Sequence, residues 1–470
     1  MQKRTKIVAT LGPASKSIDV IRKLIEAGVN VFRCNFSHGT HDSHKEFVSL
    51  VREAALKLKT HIALLGDLCG PKIRVGAFKN GQVNLAVGQT FTLSENQSIV
   101  GDETCVSTSY PYLVQDVKIG DTVLLDDGNI SLKAIKRGTD FISFQVIDGG
   151  VLKNKKGLNL PGISLSVKAI TDKDLSDLSF ILKEKFDYVA LSFVRKAAEI
   201  QELRTKIGEA PIRIIAKIEK PEAIDDLEAI LGATDAVMIA RGDLGVEVPI
   251  ERVPSLQKHI LTRCSRRGIP AITATQMLES MISNQWPTRA ETTDVFNAII
   301  DGTDAIMLSG ETAVGEYPIE AVKVMGAISC EAEKLIASKT CDICIMPEVR
   351  HEIEDTIAHA AVEAAVNVKA KAIVAYTHSG NTARNISKYH PPTPIFALTP
   401  LEPTCRRLAL NWGVNPILVS DLNNTDAMIS LAESTLKENG IVSSGDIVLI
   451  VAGVPLGVKG NTNFIKLHKI

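Results

Sequence analysis

The sequence predicts an α/β chain: a (β/α)8 TIM barrel, an inserted small β-barrel lid domain, and a C-terminal doubly wound α/β domain. Three observations predict it. Eight short apolar runs alternate with helix-period segments, the repeat number that closes a barrel. One stretch of different texture interrupts the alternation, and a second strand–helix alternation follows after about Thr340.

The eight runs are Ile7 to Leu11, Val29 to Phe36, Ile62 to Gly66, Tyr188 to Val194, Ile212 to Ile218, Ala236 to Ala240, Pro270 to Thr275 and Ala305 to Leu308. Each is β-branched or Ala/Leu rich and has the length of a strand buried on both faces. Ser17 caps a helix with apolar face Ile18, Ile21, Leu24 and Ile25, stopped by Gly28. Pro221 opens another, with Ile224, Leu227 and Leu231 on one face and Gly232 after it. Between about Lys72 and Ser166, Thr- and Val-rich alternation is broken by Asn80-Gly81, Asp127-Gly128 and Gly149-Gly150, which reads as hairpins of a small β domain. Its position among the βα loops suits a lid. The linker MPEVRHEIED precedes strand-like runs Ala372 to Tyr376, Ile395 to Leu398, Pro416 to Val419 and Ile447 to Ala452. The expected boundaries are therefore 1–70 with 167–340 for the barrel, 71–166 for the lid and 341–470 for the last domain.

Composition narrows the function. Lys plus Arg number 53 and Asp plus Glu 54, so the formal charge of −1 disfavours nucleic acid or an anionic membrane as partner. Aromatic residues are only 4%, too few for stacking platforms on single-stranded nucleic acid. The eight Cys are scattered, and the lone pair Cys341-Cys344 lacks a second pair at zinc spacing, so ordinary reduced thiols are expected. The apolar run near the N-terminus is broken by Gly12-Pro13, too short for a signal peptide, and a soluble, cytoplasmic protein is expected.

Barrel chemistry sits at the C-terminal ends of the strands. Those ends carry Arg33, Asn35, Ser37 and His38; Asp67, followed by Gly70-Pro71-Lys72-Ile73-Arg74; Lys217 and Glu219; Arg241-Gly242-Asp243; Thr275-Gln276; and Ser309-Gly310-Glu311. A charge inside an apolar run needs a reason, either a network of barrel-mouth ion pairs or a site. Glu219 and Asp243 are hard oxygen ligands suited to Mg2+ or Mn2+. Arg33, Arg74 and Lys217 add positive charge, so a small substrate bearing phosphate and carboxylate fits. Phosphoryl transfer or enolate chemistry is the physical reading.

Along its whole length the chain resembles the pyruvate kinases. The motifs are VFRCNFSHG (31–39), GDLCGPKIR (66–74), KGLNLPG (156–162), SFVRK (192–196), AKIEKPEA (216–223), ARGDLGVE (240–247), ITATQMLESM (272–281), PTRAE (287–291) and MLSGETAVGEYP (307–318). The resemblance implies conversion of phosphoenolpyruvate and ADP to pyruvate and ATP, the last step of glycolysis, in a homotetramer. It implies that Glu219 and Asp243 hold the Mg2+ bridging substrate carboxylate and enolate oxygen. Lys217 and Arg33 would hold the phosphoryl group, and Gly242, Asp243 and Thr275 the carboxylate. Thr275, Ser309 and Glu311 are candidates for organising the proton donor, with no choice among them. Asn35, His38, Arg74 and Lys173 would face the nucleotide, which brings a second Mg2+; a plain surface-loop role for His38 stays open.

One departure concerns the monovalent cation, which the resemblance places at Asn35, Ser37, Asp67 and Leu68. The usual Glu of the third-strand motif is Lys72 here, a fixed cation expected near Asp67, so K+ independence is expected; a tolerated lid-hinge substitution that leaves the K+ site working is the alternative. A second site is expected in the last domain, where Thr377, Ser379, Gly380, Asn381 and Thr382 surround a turn that opens a helix pattern. With His378 and Asn381 at spots often basic in bisphosphate-activated relatives, a monophosphate effector, such as a sugar phosphate or AMP, covered by the loop from Pro455 to Asn463, is expected; a plain helix cap is the alternative. The competing readings are an Mg-dependent lyase or aldolase forming a pyruvate enolate on the same barrel, and a non-catalytic metabolite sensor.

Overall fold

In a computed structural model that describes residues 3–337, 349, 352–422, 424–456 and 461–470, eight parallel strands close into a barrel in chain order. They are Lys6–Thr10, Val31–Asn35, Ala63–Asp67, Tyr188–Leu191, Arg213–Ile218, Ala236–Ala240, Ala271–Ala274 and Ala305–Leu308. Lys6 sits opposite Ala305, which closes the ring, and Tyr188 opposite Leu65, which joins the third and fourth strands across the insertion. Outward-facing residues such as Ile7, Phe32 and Ile214 pack under the helices, while Val8, Val31, Leu65, Ile215, Met238 and Ile272 fill the interior.

Helix ends follow local chemistry. Ser17 caps Ile18–Ala27 through its side chain, and Gly28 at φ 116° ends it. The single helix expected from Pro221 is instead two, Pro221–Asp225 and Leu227–Ala233. The chain breaks at Asp226, whose carboxylate accepts the Ala197 N–H at 2.8 Å, and Gly232 lies inside the second helix.

The inserted segment forms a curled six-stranded sheet and a separate two-stranded ladder. Of the three expected hairpins, only Asp127-Gly128 turns one, between Thr122–Leu125 and Ile130–Arg137. After Gly149 the chain leaves Phe141–Asp148 and pairs Gly150–Lys153 with Gln82–Leu85, while Asn80-Gly81 only leads into that ladder. Phe91, Phe144, Leu125 and Leu132 form its own core. The returning connection is gripped by Arg195, which donates to the Leu165 and Val167 carbonyls at 2.7 and 3.0 Å.

The last sheet has the order Val414–Leu418, Ile395–Thr399, Ala372–Tyr376, Ile447–Gly453, Thr462–Lys469. Its first four strands are parallel; the fifth, antiparallel strand is absent from the sequence reading. The final residues of the expected linker already belong to the helix Ile353–Asn367. Cys341 and Cys344 lie outside the described residues. This domain seals the N-terminal end of the barrel: Leu410 is fully buried among the interior residues, and Tyr188 donates to the Arg407 carbonyl at 2.6 Å. The opposite end is left open beneath the insertion. Among the described residues no helix is long and apolar enough to cross a membrane.

Candidate active site

The open end of the barrel gathers charges that its strands deliver. Arg33, near the end of the second strand, is buried against Asp67 at the end of the third, with Nε and Nη2 each 2.7 Å from Oδ2. Its Nη1 donates to Thr10 Oγ1 at 3.0 Å. Lys217 on the fifth strand reaches Asp67 Oδ1 at 3.4 Å, Glu219 Oε1 at 2.8 Å and Ser192 Oγ at 2.9 Å. Ser192 in turn donates to the Leu68 carbonyl at 2.7 Å. The result is a buried chain of alternating charge: Arg33, Asp67, Lys217, Glu219.

Electrostatics sort the members by role. Burial works against the charge on Lys217, but Asp67, Glu219 and Asp243 outweigh it, and the amine is pushed above its usual value. Burial likewise pushes Asp67 up, yet Lys217 and Arg33 pull it below the ordinary carboxylate value. Glu219 differs: burial and then the Asp243 charge raise it, and Lys217 offsets them only in part. Its Oε2 accepts the Phe193 N–H at 2.8 Å, while Oε1 has Lys217 as ion-pair neighbour and no well-directed hydrogen bond. A buried, under-compensated carboxylate beside a second one fits a divalent cation. Among the described residues no three His, Cys, Asp or Glu side chains gather around one point, so this two-carboxylate donor set suits a hard ion that keeps positions for water and substrate.

Asp243 stands in the first turn of Arg241–Glu247, which follows the sixth strand directly. Gly242 donates its N–H to Thr275 Oγ1 at 2.8 Å, and Thr275 donates to the Ala274 carbonyl at 2.6 Å. Thr275 and Gln276 hold φ of 70° and 55°, a left-handed bend that turns the chain across the barrel mouth. Glu311 is buried with both oxygens engaged, by Leu278 N at 3.1 Å and Ser309 N at 2.7 Å. Burial still raises it. It therefore pins the seventh and eighth strand ends together.

The residues expected toward a nucleotide are less tightly grouped. Burial, and after it the charges of Arg74, Lys72 and Arg33, lowers the pKa of the exposed His38. Arg74 belongs to the insertion and donates to the Lys155 carbonyl at 2.9 Å. Lys173 is tied to Asp177 at 2.6 Å and to the Phe36 carbonyl at 2.7 Å. Asn35 Oδ1 accepts the Ser37 N–H at 3.1 Å. Lys72 is exposed and its charge acts on His38, while the Asp67 oxygens are taken by Arg33, Lys217 and Ser192.

In the last domain, Thr377 Oγ1 accepts the Gly380 N–H at 3.0 Å and Thr382 Oγ1 pairs with Thr462 Oγ1 at 2.8 Å. Ser379 Oγ accepts the Asn381 N–H at 3.4 Å. Asp421 bonds His378 at 2.9 Å. Of the expected covering loop, residues 457–460 lie outside the described residues. Sequence reasoning gave no role to Ser192, Lys220 or Glu247; all three lie within quoted motifs, and only the last two stand out there as charges.

Comparison with known proteins decides the family. A profile for the pyruvate kinase barrel domain matches residues 2–322, and one for the pyruvate kinase alpha/beta domain matches residues 355–468. The chain belongs to the pyruvate kinase family. Pyruvate kinases of Staphylococcus epidermidis and Geobacillus stearothermophilus are 45% and 44% identical to it, over all of this chain and 80% and 81% of theirs. The crystal structure of a pyruvate kinase from Cryptosporidium parvum, 37% identical, superposes with a TM-score of 0.93 over 100% of this chain and 96% of that one. The family's barrel domain thus spans the alternating charge network.

Proposed function

We propose that this pyruvate kinase family member transfers the phosphoryl group of phosphoenolpyruvate to ADP, giving pyruvate and ATP. The observation that carries the reading is the buried Arg33–Asp67–Lys217–Glu219 chain beside Asp243 at the open barrel end. Asp67 orients both cations, so that Arg33 and Lys217 meet a phosphoryl group already placed, with little reorganisation. Lys217 stays protonated and neutralises charge spread over the transferring oxygens. Glu219 and Asp243 would hold Mg2+ or Mn2+, which when bound supplies Lewis-acid stabilisation of the enolate. The Gly242–Thr275 contact seats the substrate carboxylate. Carbon protonation falls to a donor organised near Thr275 or Ser309, with Glu311 fixing their loops. His38, Arg74, Asn35 and Lys173 line the nucleotide side.

Lys72, a fixed cation where the third-strand motif usually has Glu, supports the reading that the enzyme does not require K+. The Thr377–Thr382 turn takes a phosphorylated effector, the chain assembles as a homotetramer, and it works in the cytoplasm. A coupled assay tests the main reading: pyruvate appears from phosphoenolpyruvate only when ADP is present. Pyruvate release without ADP favours the lyase reading instead. Phosphate binding that Ser379→Asp leaves unchanged would remove the effector site.

A further inference from the structure

Behind the two metal-facing carboxylates lies a second buried charge pair. Lys220 directly follows Glu219, and Glu247 lies four residues beyond Asp243, one turn along the same short helix. Lys220 Nζ is 2.7 Å from Glu247 Oε1, and the two residues are 5% and 6% exposed. The same oxygen accepts a second bond, at 3.0 Å, from Asn159 Nδ2. Asn159 belongs to the insertion, on its short strand Leu158–Asn159, paired with Thr122–Leu125. The three residues and Asp243 line one cleft between insertion and barrel mouth. Glu247 Oε2 is buried and has no hydrogen-bond partner.

We propose that Lys220, Glu247 and Asn159 form a latch through which docking of the insertion sets the spacing of Glu219 and Asp243. The inference rests on the reading of those two carboxylates as the metal pair. Its logic is geometric. The Lys220–Glu247 bond staples the end of the fifth strand to the helix after the sixth, and each partner sits within one turn of a metal-facing carboxylate. Asn159 is the insertion's hand on that staple: its amide lies against a pair that is otherwise partly compensated and cut off from water. When the insertion swings away, the amide bond is lost and the pair meets solvent, which relaxes the staple. The unpartnered Oε2 gives the latch two usable states, because the closed arrangement leaves one oxygen unsatisfied that the open one hydrates. Lys220, Glu247 and Asn159 are positioning residues.

The test uses the full chain with Mn2+ alone as probe. Free Mn2+ is read by electron paramagnetic resonance, and backbone exchange at residues 157–160 by mass spectrometry. Asn159→Ala is expected to raise the Mn2+ Kd about three- to tenfold, the worth of one hydrogen bond, and to speed exchange at 157–160. Glu247→Ala is expected to do at least as much, the double variant no more than Glu247→Ala, and Glu247→Gln, which keeps an acceptor for Asn159, to restore slow exchange. Multiplying effects of Asn159→Ala and Glu247→Ala overturn the latch, as do unchanged Mn2+ affinity and exchange in a folded Asn159→Ala protein. Mn2+ affinity indifferent to Glu219→Gln overturns the metal-pair reading itself; the exchange results then still decide whether Asn159 docks through Glu247.

Discussion

Replacing Lys217 with Met removes the cation at the centre of the network while keeping most of its buried stem. The lost contacts are the 2.8 Å approach to Glu219, the 3.4 Å approach to Asp67 and the 2.9 Å bond to Ser192. Two magnitudes follow. A preorganised charged donor aimed at developing charge is worth about 100- to 1000-fold in kcat, or roughly 3–4 kcal/mol. Breaking a buried ion pair costs about 3–5 kcal/mol of stability, because a carboxylate is left without its partner. The low end applies here, since Arg33 still holds Asp67 and Glu219 is already pushed toward its protonated form. Initial rates of pyruvate formation at saturating phosphoenolpyruvate, ADP and Mg2+ measure the first effect, and thermal unfolding the second. The expected result is a kcat lowered about 100- to 1000-fold with KM for phosphoenolpyruvate moved only several-fold, in a protein that still melts cooperatively. A kcat within about threefold of the parent would refute the placing of Lys217 on the phosphoryl group.

Further outcomes follow from the same geometry. Lys72→Glu removes one of the three cations that lower His38, so its pKa, followed by NMR titration, rises, and a K+ requirement appears in the rate where the parent shows none when K+ is replaced by a quaternary ammonium salt. Asp67 is held below its ordinary value of 3.8, so its stabilising contribution is present above that value and is lost as pH falls toward the folded one; Asp67→Asn lowers stability by a few kcal/mol at pH 7, on the order of a broken buried pair, and this gap narrows below about pH 4 in denaturant melts. Ser192→Ala frees Lys217 from one of its three partners and lowers kcat about tenfold, in steady-state rates, with little change in melting temperature. Arg195→Ala releases the Leu165 and Val167 carbonyls and speeds proteolysis within 163–168, seen by mass spectrometry of the early fragments.

Much of the barrel was legible because both faces of its strands are buried, so each reads as an unbroken apolar run. Lys217 and Arg33 stood out for the same reason: a charge in such a run has no structural excuse. What was lost is chemistry carried by neutral or amphipathic patterning. The edge strand Thr462–Lys469 is mostly exposed or half-buried and gives no apolar run. The break at Asp226 depends on a carboxylate reaching the Ala197 N–H from the next turn of the fold, which spacing cannot reveal. Gly149-Gly150 looks like a hairpin turn, yet its second strand pairs with residues 82–85, a partner chosen by the folded insertion. Ser192 is an ordinary serine until Lys217 and the Leu68 carbonyl are placed on either side of it.

The central claim is that the alternating network of Arg33, Asp67, Lys217 and Glu219 serves phosphoryl transfer between phosphoenolpyruvate and ADP. Its most direct test is the release of pyruvate from phosphoenolpyruvate by the purified chain with Mg2+, followed with and without ADP. The account predicts pyruvate and ATP in equal amounts with ADP, and neither product without it. Pyruvate formed at the same rate in the absence of ADP, or no pyruvate under either condition from a folded protein, would contradict it.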